Sequence, residues 1–221
     1  MIPPNQKKVD DIIQLDLGYI PDVNIYDYRL TIKGLVGNPA VFTYEDIVKI
    51  GNDKVIDDFH CVTGWTKESA EWEGVLAKKL AAIVKPLKDA KYVLIGSYDG
   101  YTTNVDTDFL LKDNSIFALK YAGQILTPEH GFPVRLVIPD KYAYKSAKWV
   151  KTVTFLDNLV PKNNNYRHAE GNSDAHIKAS IIGNSRILPY SGNKLNLGRW
   201  EGIFLCEFDG PRQRNINIIL I

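Results

Sequence analysis

The sequence predicts an α+β fold built on a mixed sheet. Many short β-prone runs are separated by turn residues, and few segments have the apolar spacing of a helix. The runs do not alternate regularly with helices, as they would in a doubly wound parallel sheet. A chain of 221 residues can form one large domain with a sizeable core, with or without an appendage.

Two segments are predicted to be helical. In residues 42–51, Thr43 can cap the helix, Asp46 lies three positions further on, and Gly51 ends it. In residues 72–87, Pro86 ends the helix. One face of this second helix carries apolar side chains: Val75, Leu76, Leu80, Ile83 and Val84.

The predicted strands share a β-prone composition and are bounded by turn residues. They are 28–36, 55–62, 91–97, 132–139 and 148–156, with the turn and β-prone run of 99–105 after the third. Residues 1–28 contain Pro3, Pro4, Gly18 and Pro21 and are expected to form an irregular arm.

The composition changes from about residue 158. The stretch VPKNNNYRHAEGNSDAH is polar and rich in asparagine, which indicates a loop or linker. The runs GRWEGIFLCEF and INIILI beyond it are β-prone. We therefore predict a main domain over residues 1–157, and a short β-prone C-terminal tail over 158–221 that docks on the main body and is not an independent domain.

The charge balance and the apolar content exclude several classes of protein. A formal net charge of +1 gives no general attraction to nucleic acid. No apolar run reaches the ~20 residues of a transmembrane segment. The N-terminal MIPPNQKKVDD has no apolar stretch behind its lysines, so no secretory signal is expected. Two cysteines, Cys61 and Cys206, far apart in the sequence, are not the pattern of a disulfide framework, although they leave a single bridge open. The expectation is a cytoplasmic protein.

The stretch DFHCVTGW, residues 58–65, raises the question of what Cys61 does. Free cysteines are often packed as small apolar residues. A reactive Cys61 could instead be a nucleophile, a zinc ligand or a ligand to another metal. His60 is adjacent, but neighbouring side chains of a strand point to opposite faces, so only the fold could bring a base such as His130 to the thiol. The scattered histidines do not have zinc-site spacing.

A second segment, residues 129–150, combines basic and aromatic residues. Such a run is usually a solvated basic face. Arg135, however, lies inside the apolar run VRLVI, where an unpaired charge is unfavourable. A phosphate suits a guanidinium group, and Lys148 can supply a second positive charge. A cofactor that combines a soft-ligated metal with a phosphate would use both Cys61 and this anion site.

Several motifs together resemble the molybdopterin-dependent sulfite oxidase superfamily, and above all its short prokaryotic sulfite-oxidase-like oxidoreductases. They are LDLGYIPD, YRLTIKGLVGNPAVFTYEDI, DFHCVTGW, WEGV, KYVLIGSYDGYTTNV and PEHGFPVRLVIPDKYAYKSAKW, in the family's order over roughly residues 12–156. The resemblance implies a sulfite-oxidase-type molybdopterin-binding fold. It also implies one molybdenum and one molybdopterin in each chain.

The resemblance assigns roles to individual residues. Cys61 would bind the metal directly, beside the dithiolene of the molybdopterin, as suits a soft thiolate. His60 and Tyr101 would lie near the substrate oxygen as hydrogen-bond donors. The pterin and its phosphate would be held by Ser97, His130, Arg135, Ser146, Ala147 and Lys148.

The implied activity is a two-electron oxygen-atom transfer on a small-molecule substrate, either sulfite oxidation or reduction of an S- or N-oxide, with an unidentified electron-transfer partner. The stretch CVTGWTKES contains no arginine, which disfavours sulfite. Two alternatives are a Cys-dependent hydrolase that uses Cys61 and His130, and a pterin-binding protein without catalytic activity.

Overall fold

The computed structural model of the protein describes residues 2–16 and 18–157, together with residues 190–191, 194–195 and 215. Strands and short helices follow one another irregularly through the first two ranges. The strands are β1 (Lys7–Lys8), β2 (Leu30–Gly34), β3 (Ala40–Phe42), β4 (Asp53–Cys61), β5 (Trp65–Leu76), β6 (Tyr92–Ser97), β7 (Thr102–Asp106), β8 (Ile116–Tyr121), β9 (Gln124–Ile125), β10 (Arg135–Val137) and β11 (Val150–Leu156). The helices are α1 (Tyr44–Ile50), α2 (Ala77–Val84) and α3 (Thr107–Leu110), with 3-10 turns at Pro128–His130 and Ala143–Lys145.

The strands form two mixed sheets. The five-stranded sheet has the order β3-β2-β11-β6-β7, in which β2 and β11 are parallel and the other pairs are antiparallel. In the six-stranded sheet, β1, β5, β8 and β10 follow one another, β4 pairs with β5, and β9 pairs with β8. Only β1 and β5 are parallel among its described pairs. The predicted α+β class with mixed sheets is confirmed.

Helix α1 forms as its sequence predicts. The Thr43 hydroxyl accepts a hydrogen bond from the Asp46 backbone N–H, and the Asp46 carboxylate accepts one from the Thr43 N–H. This capping box satisfies N–H groups at the helix N-terminus, which have no partner within the helix.

The second predicted helix is shorter than its apolar pattern suggested. Val75 and Leu76 belong to β5, where they pair with Phe117 and Ile116 of β8, and α2 begins at Ala77. Ile83, assigned to the buried face, is 41% exposed. Pairing of β5 with β8 therefore overrides local helix periodicity. Strand β8 and most of β5 were not predicted from the sequence, and the arm that carries β1 was predicted to be irregular.

The buried apolar side chains form two clusters, and the six-stranded sheet contributes to both, for example Phe117 to the first and Trp72 to the second. The first cluster joins the five-stranded sheet to α1 and α2, through residues such as Ile32, Ile47, Leu80, Val93 and Val153. The second cluster lies on the six-stranded sheet and contains Phe59, Cys61, Trp65, Trp72 and Val137, among others. Cys61 thus packs in the smaller, more aromatic cluster.

The chain divides into two compact units, Met1–Asp157 and Asn158–Ile221. In the second unit, the described residues include a two-stranded antiparallel sheet of β12 (Tyr190–Ser191) and β13 (Lys194–Leu195). The predicted docking of the tail on the main body and the surroundings of Cys206 lie outside the described residues. None of the helices in the described part of the chain is long and apolar enough to cross a membrane.

Candidate functional site

Cys61 is the last residue of β4, and its side chain is only 3% exposed. It is a free cysteine that packs among aromatic and aliphatic side chains, including Phe59 and Trp65. The Thr63 hydroxyl donates a hydrogen bond to Sγ over 3.1 Å.

His60 and Cys61 face opposite sides of the sheet. In the β4–β5 ladder His60 pairs with Thr66, whereas Cys61 pairs with Trp65. Since successive residues of a strand alternate between faces, the His60 ring does not point towards Sγ. Its Nδ1 lies 2.8 Å from the Thr66 hydroxyl oxygen. The expectation that His60 is badly placed to activate Cys61 therefore agrees with the structure.

Arg135 is a buried cation at the start of β10, with 5% of its surface exposed. Its guanidinium carbon lies 4.9 Å from the centre of the Trp72 ring and 5.4 Å from that of Phe59. Nη1 donates to the His130 carbonyl over 3.1 Å, and a longer contact of 3.4 Å joins Nη2 to the Ser146 carbonyl.

The Arg135 guanidinium lacks a negatively charged partner among the described residues. It forms none of their salt bridges, and its Nε is buried without a hydrogen-bond partner. Burial lowers the pKa of Arg135 to about 10, although the nearby Tyr121 favours the charged form. Because an uncompensated buried charge is costly, this group is suited to receive an anion.

Lys148 brings a second positive charge close to Arg135, and the His130 ring lies near both. Burial, followed by repulsion from Arg135, lowers the pKa of Lys148 to about 8. The same two causes lower the pKa of His130. Lys148 Nζ donates to the carbonyls of Leu15 and Glu129, over 2.7 and 2.9 Å. Arg135 and Lys148 therefore form a cationic pair whose charges repel each other, and His130 lies beside them with its neutral ring favoured.

Gly131 allows Arg135 and Lys148 to approach each other. Its φ is +103°, in the region that favours glycine. A Cβ at this position would lie 3.0 Å from the Cβ of Arg135 and 3.1 Å from that of Lys148. The glycine thus permits the two cationic residues to pack against one short stretch of backbone.

The other residues predicted to bind the cofactor differ in whether their polar groups are already hydrogen-bonded within the protein. The Ser97 hydroxyl oxygen is buried and has no hydrogen-bond partner among the residues that the structure describes. The Ser146 hydroxyl instead accepts a bond from the Ile138 N–H over 3.0 Å, and the Ala147 carbonyl accepts one from the Leu136 N–H over 2.8 Å. Ser97 is therefore free to bind a ligand, while Ser146 and Ala147 fasten their loop to β10.

Tyr101 packs against the first apolar cluster, whereas Cys61 belongs to the second. Its hydroxyl donates to the carbonyl of Tyr144 over 2.5 Å. Burial raises its pKa. The neighbouring Ala143 packs with the cluster that contains Cys61, so the loop 143–145 connects Tyr101 to the cysteine side of the site. The role of Tyr101 beside the substrate remains a prediction.

The unsatisfied polar atoms fit a cofactor that carries a metal and a phosphate. In the described part of the chain, three such buried side-chain atoms lie in the candidate segments: Trp65 Nε1, Ser97 Oγ and Arg135 Nε. Buried polar atoms normally have partners, so these atoms are suited to contact a ligand. Cys61 would hold the molybdenum, and Arg135 and Lys148 would hold the phosphate.

The sequence analysis missed two groups at this site. Trp65, within the quoted motif, has a buried indole N–H opposite Cys61 in the ladder. Gln6, in the arm, donates to the Cys61 carbonyl over 2.9 Å. The motif offered a signal for Trp65, whereas the contact of Gln6 depends on the fold.

Comparison with known families gives two matches. The sequence model of the family described as oxidoreductase molybdopterin binding domain matches residues 17–164. A second family model, UPF0047 protein YjbQ-like, matches residues 148–221. The C-terminal segment therefore resembles a different family, which the sequence analysis did not recognise.

Individual relatives extend the first match. The chain is 35% identical over 161 residues to an uncharacterised oxidoreductase, YuiH, of Bacillus subtilis, covering 72% of this chain and 81% of that protein. It is 26% identical over 152 residues to the protein-methionine-sulfoxide reductase catalytic subunit MsrP of Burkholderia mallei, covering 62% of this chain but only 46% of the relative.

Among solved structures, the sulfane dehydrogenase SoxCD from Paracoccus pantotrophus shares the fold. The TM-score is 0.57 with 23% sequence identity, over 66% of this chain and 42% of the other. The family match covers well over half of the chain, including every predicted site residue. The chain belongs to the oxidoreductase molybdopterin-binding domain family, and it is an enzyme of the sulfite oxidase type with a molybdenum–molybdopterin cofactor.

Proposed function

We propose that the enzyme reduces a small neutral sulfoxide, with Cys61 as the protein ligand of the molybdenum. The observation that carries this choice is the apolar surroundings of Cys61. Cys61 shares an apolar cluster with the aromatic side chains of Phe59 and Trp65, and the guanidinium of Arg135 is covered by the rings of Phe59 and Trp72. Such surroundings favour a neutral substrate over a sulfite anion, whose desolvation would need several cations.

The relatives support the same class of substrate. MsrP is by name a reductase of methionine sulfoxide in proteins. The stretch that follows Cys61 contains no arginine. A sulfoxide carries a polar S–O bond on an otherwise apolar body, which suits a site with few polar groups.

The reaction consumes one sulfoxide, two electrons and two protons, and it releases one sulfide and one water. Bound molybdenum supplies the two-electron exchange of an oxygen atom, which side chains alone cannot perform. The chain supplies the surroundings. Thr63 donates to Sγ of Cys61, and Arg135 and Lys148 would balance the negative charge of the cofactor phosphate. A separate electron-transfer partner, not identified, would deliver the electrons.

The hydrolase alternative has less support from the described contacts. A thiol hydrolase needs a base in contact with Sγ. The hydrogen bond to Sγ comes from the Thr63 hydroxyl, and the adjacent His60 faces Thr66. His130 contributes its backbone carbonyl to Arg135, and its pKa is lowered by burial beside that cation.

Dye-coupled assays of the molybdenum-loaded protein test the proposal. Reduced viologen should be oxidised on addition of dimethyl sulfoxide or methionine sulfoxide, and ferricyanide should be reduced slowly with sulfite. Cys61→Ser should abolish the sulfoxide activity, whereas the matched Cys206→Ser should retain it. Higher kcat/KM for sulfite, or for an N-oxide, would overturn the choice of substrate. Full activity in Cys61→Ser would overturn the assignment of the ligand.

A further inference from the structure

The N-terminal arm holds the loop that follows Cys61. The Lys7 backbone N–H donates to the Gly64 carbonyl over 2.9 Å, and the Gln6 side chain donates to the Cys61 carbonyl over 2.9 Å. A Cβ on Gly64, whose φ is +92°, would lie 3.4 Å from the Asn5 carbonyl oxygen. Gln6 and Lys7 therefore bind the two ends of the loop 61–64, and the backbone of Asn5 lies close to Gly64.

Gln6 also connects Cys61 to His60. Its Oε1 accepts a hydrogen bond of 2.9 Å from the Thr66 hydroxyl, and the same hydroxyl oxygen lies 2.8 Å from Nδ1 of His60. Thr66 is fully buried on β5, whose backbone pairs with β1 on one side and β4 on the other. The side chains of Gln6, Thr66 and His60 thus form one chain of hydrogen bonds that begins at the Cys61 carbonyl.

The proton positions along this chain follow from elementary chemistry. The Cys61 carbonyl can only accept, so the amide nitrogen of Gln6 faces it and the amide oxygen faces Thr66. An amide oxygen can only accept, so the single hydroxyl proton of Thr66 points to Gln6. The Thr66 oxygen must then accept from His60, which places a proton on Nδ1. In the neutral ring, Nε2 is left as an acceptor.

We infer that Gln6 is a positioning residue of the molybdenum site, which holds the Cys61 loop in place and fixes His60 with its proton on Nδ1. The inference rests on the proposed role of Cys61 as the metal ligand. It also changes the role predicted for His60, because a neutral ring held in this way offers an acceptor at Nε2. Groups that hydrogen-bond to a metal ligand without touching the metal commonly affect metal affinity or activity by about 10–100-fold.

The variants separate the two bonds of Gln6. Gln6→Met keeps the length of the side chain and removes both bonds. Gln6→Glu keeps an acceptor for Thr66 but loses the donor to the Cys61 carbonyl. Thr66→Val removes the hydroxyl between Gln6 and His60, and Thr66→Ser restores it. Gln124→Met, at an exposed position on β9, is the matched control.

The decisive readout is the tautomer of His60 in the oxidised, molybdenum-loaded protein, measured by long-range proton–nitrogen NMR at a pH that keeps the ring neutral. The His60 signals are assigned by their loss in His60→Gln. Wild type, Gln124→Met and Thr66→Ser should show the proton on Nδ1. Gln6→Met and Thr66→Val should shift it towards Nε2. A wild-type His60 with its proton on Nε2, or no change in both Gln6→Met and Thr66→Val, would overturn the inference.

The second readout concerns the metal ligand itself. In Gln6→Met and Gln6→Glu, the thiolate-to-molybdenum absorption should shift and kcat should fall about tenfold, with the molybdenum content and KM nearly unchanged. Unchanged absorption and kcat in both variants would contradict the positioning role. The tautomer and the absorption do not depend on the substrate, so failure of the sulfoxide proposal would leave both readouts interpretable.

Discussion

The thiol end and the cationic end of the site differ in whether the folded chain supplies partners for their buried polar and charged groups. At the thiol end, formed by Cys61, Thr63 and Trp65, the sulfur is buried among apolar side chains and accepts one hydrogen bond. At the cationic end, formed by Arg135 and Lys148 with His130 beside them, buried positive charge lacks a salt bridge within the described residues. A cysteine can be buried at little cost, whereas an uncompensated guanidinium cannot.

This difference shows which end indicates a ligand more strongly. The surroundings of Cys61 would suit an inert packed thiol almost equally well. Those of Arg135 are unfavourable unless an anion binds. The cationic end therefore carries the stronger physical indication of a ligand, while the thiol end determines its chemistry through a soft donor.

The largest expected effect is at the thiol end. Cys61→Ser should lower oxidoreductase activity by more than about 100-fold, since loss of outer-shell partners already costs about 10–100-fold. The free energy of unfolding of the cofactor-free protein should change by only about 1 kcal/mol. Dye-coupled assays and denaturant titration check the two parts. If Cys61→Ser instead lost much of its stability and kept its activity, Cys61 would be a packing residue and not the metal ligand.

At the cationic end, Arg135→Met should separate folding from cofactor binding. Replacing a buried, unpaired cation by an apolar side chain should raise the free energy of unfolding of the cofactor-free protein by about 1–3 kcal/mol. The same variant should retain less molybdenum after expression with the cofactor. Lys33→Met, at an exposed position of β2, is the control for both measurements. A less stable Met variant with normal molybdenum content would contradict this description of Arg135.

Gly131→Ala tests how closely Arg135 and Lys148 must pack. The methyl group would lie 3.0 Å from the Cβ of Arg135 and 3.1 Å from that of Lys148, closer than ordinary van der Waals contact, at a φ of +103°. We expect a destabilisation of about 1–2 kcal/mol, together with reduced molybdenum content. Gly100→Ala, at a φ of +87° with nothing within 4 Å of the added Cβ, is the matched control for backbone strain. Equal molybdenum content in both variants would show that the close packing is dispensable for the cofactor.

The smallest expected effect is a dependence of the free energy of unfolding on pH, caused by Lys148, which should disappear when the cofactor binds. Lys148 has a pKa of about 8 in the folded protein and 10.5 as its ordinary value. Over this window the folded chain releases its proton before the unfolded chain, so stability should rise with pH. Allowing for partial solvent exposure, wild type should gain about 1 kcal/mol relative to Lys148→Met. In the cofactor-bound protein the phosphate keeps Lys148 charged, so the gain should vanish.

Denaturant titration across that pH range, with and without cofactor, measures the Lys148 effect. If the free energy of unfolding varied with pH in the same way for cofactor-free wild type and Lys148→Met, the pKa of Lys148 would not be lowered by folding. A gain that persists in the cofactor-bound protein would show that Lys148 does not contact the anion.

The parts of the site that could be predicted from sequence are those with a local signal. Thr43 and Asp46 form the expected cap, and a charge within the run VRLVI correctly indicated that Arg135 is buried. The parts that could not be predicted depend on distant contacts. Gln6 contacts residues 55 and 60 positions away, and Val75 and Leu76 became strand because β8 lies beside them. Sequence periodicity contains no information about such neighbours.

X-ray absorption at the molybdenum edge tests the central claim most directly. If Cys61 is the protein ligand, the metal in the oxidised wild-type protein should have one more sulfur neighbour than the dithiolene supplies. The metal that remains bound in Cys61→Ser should have lost that neighbour, while Cys206→Ser should match the wild type. A wild-type metal with only the dithiolene sulfurs, or the same number of sulfur neighbours in Cys61→Ser, would contradict the assignment.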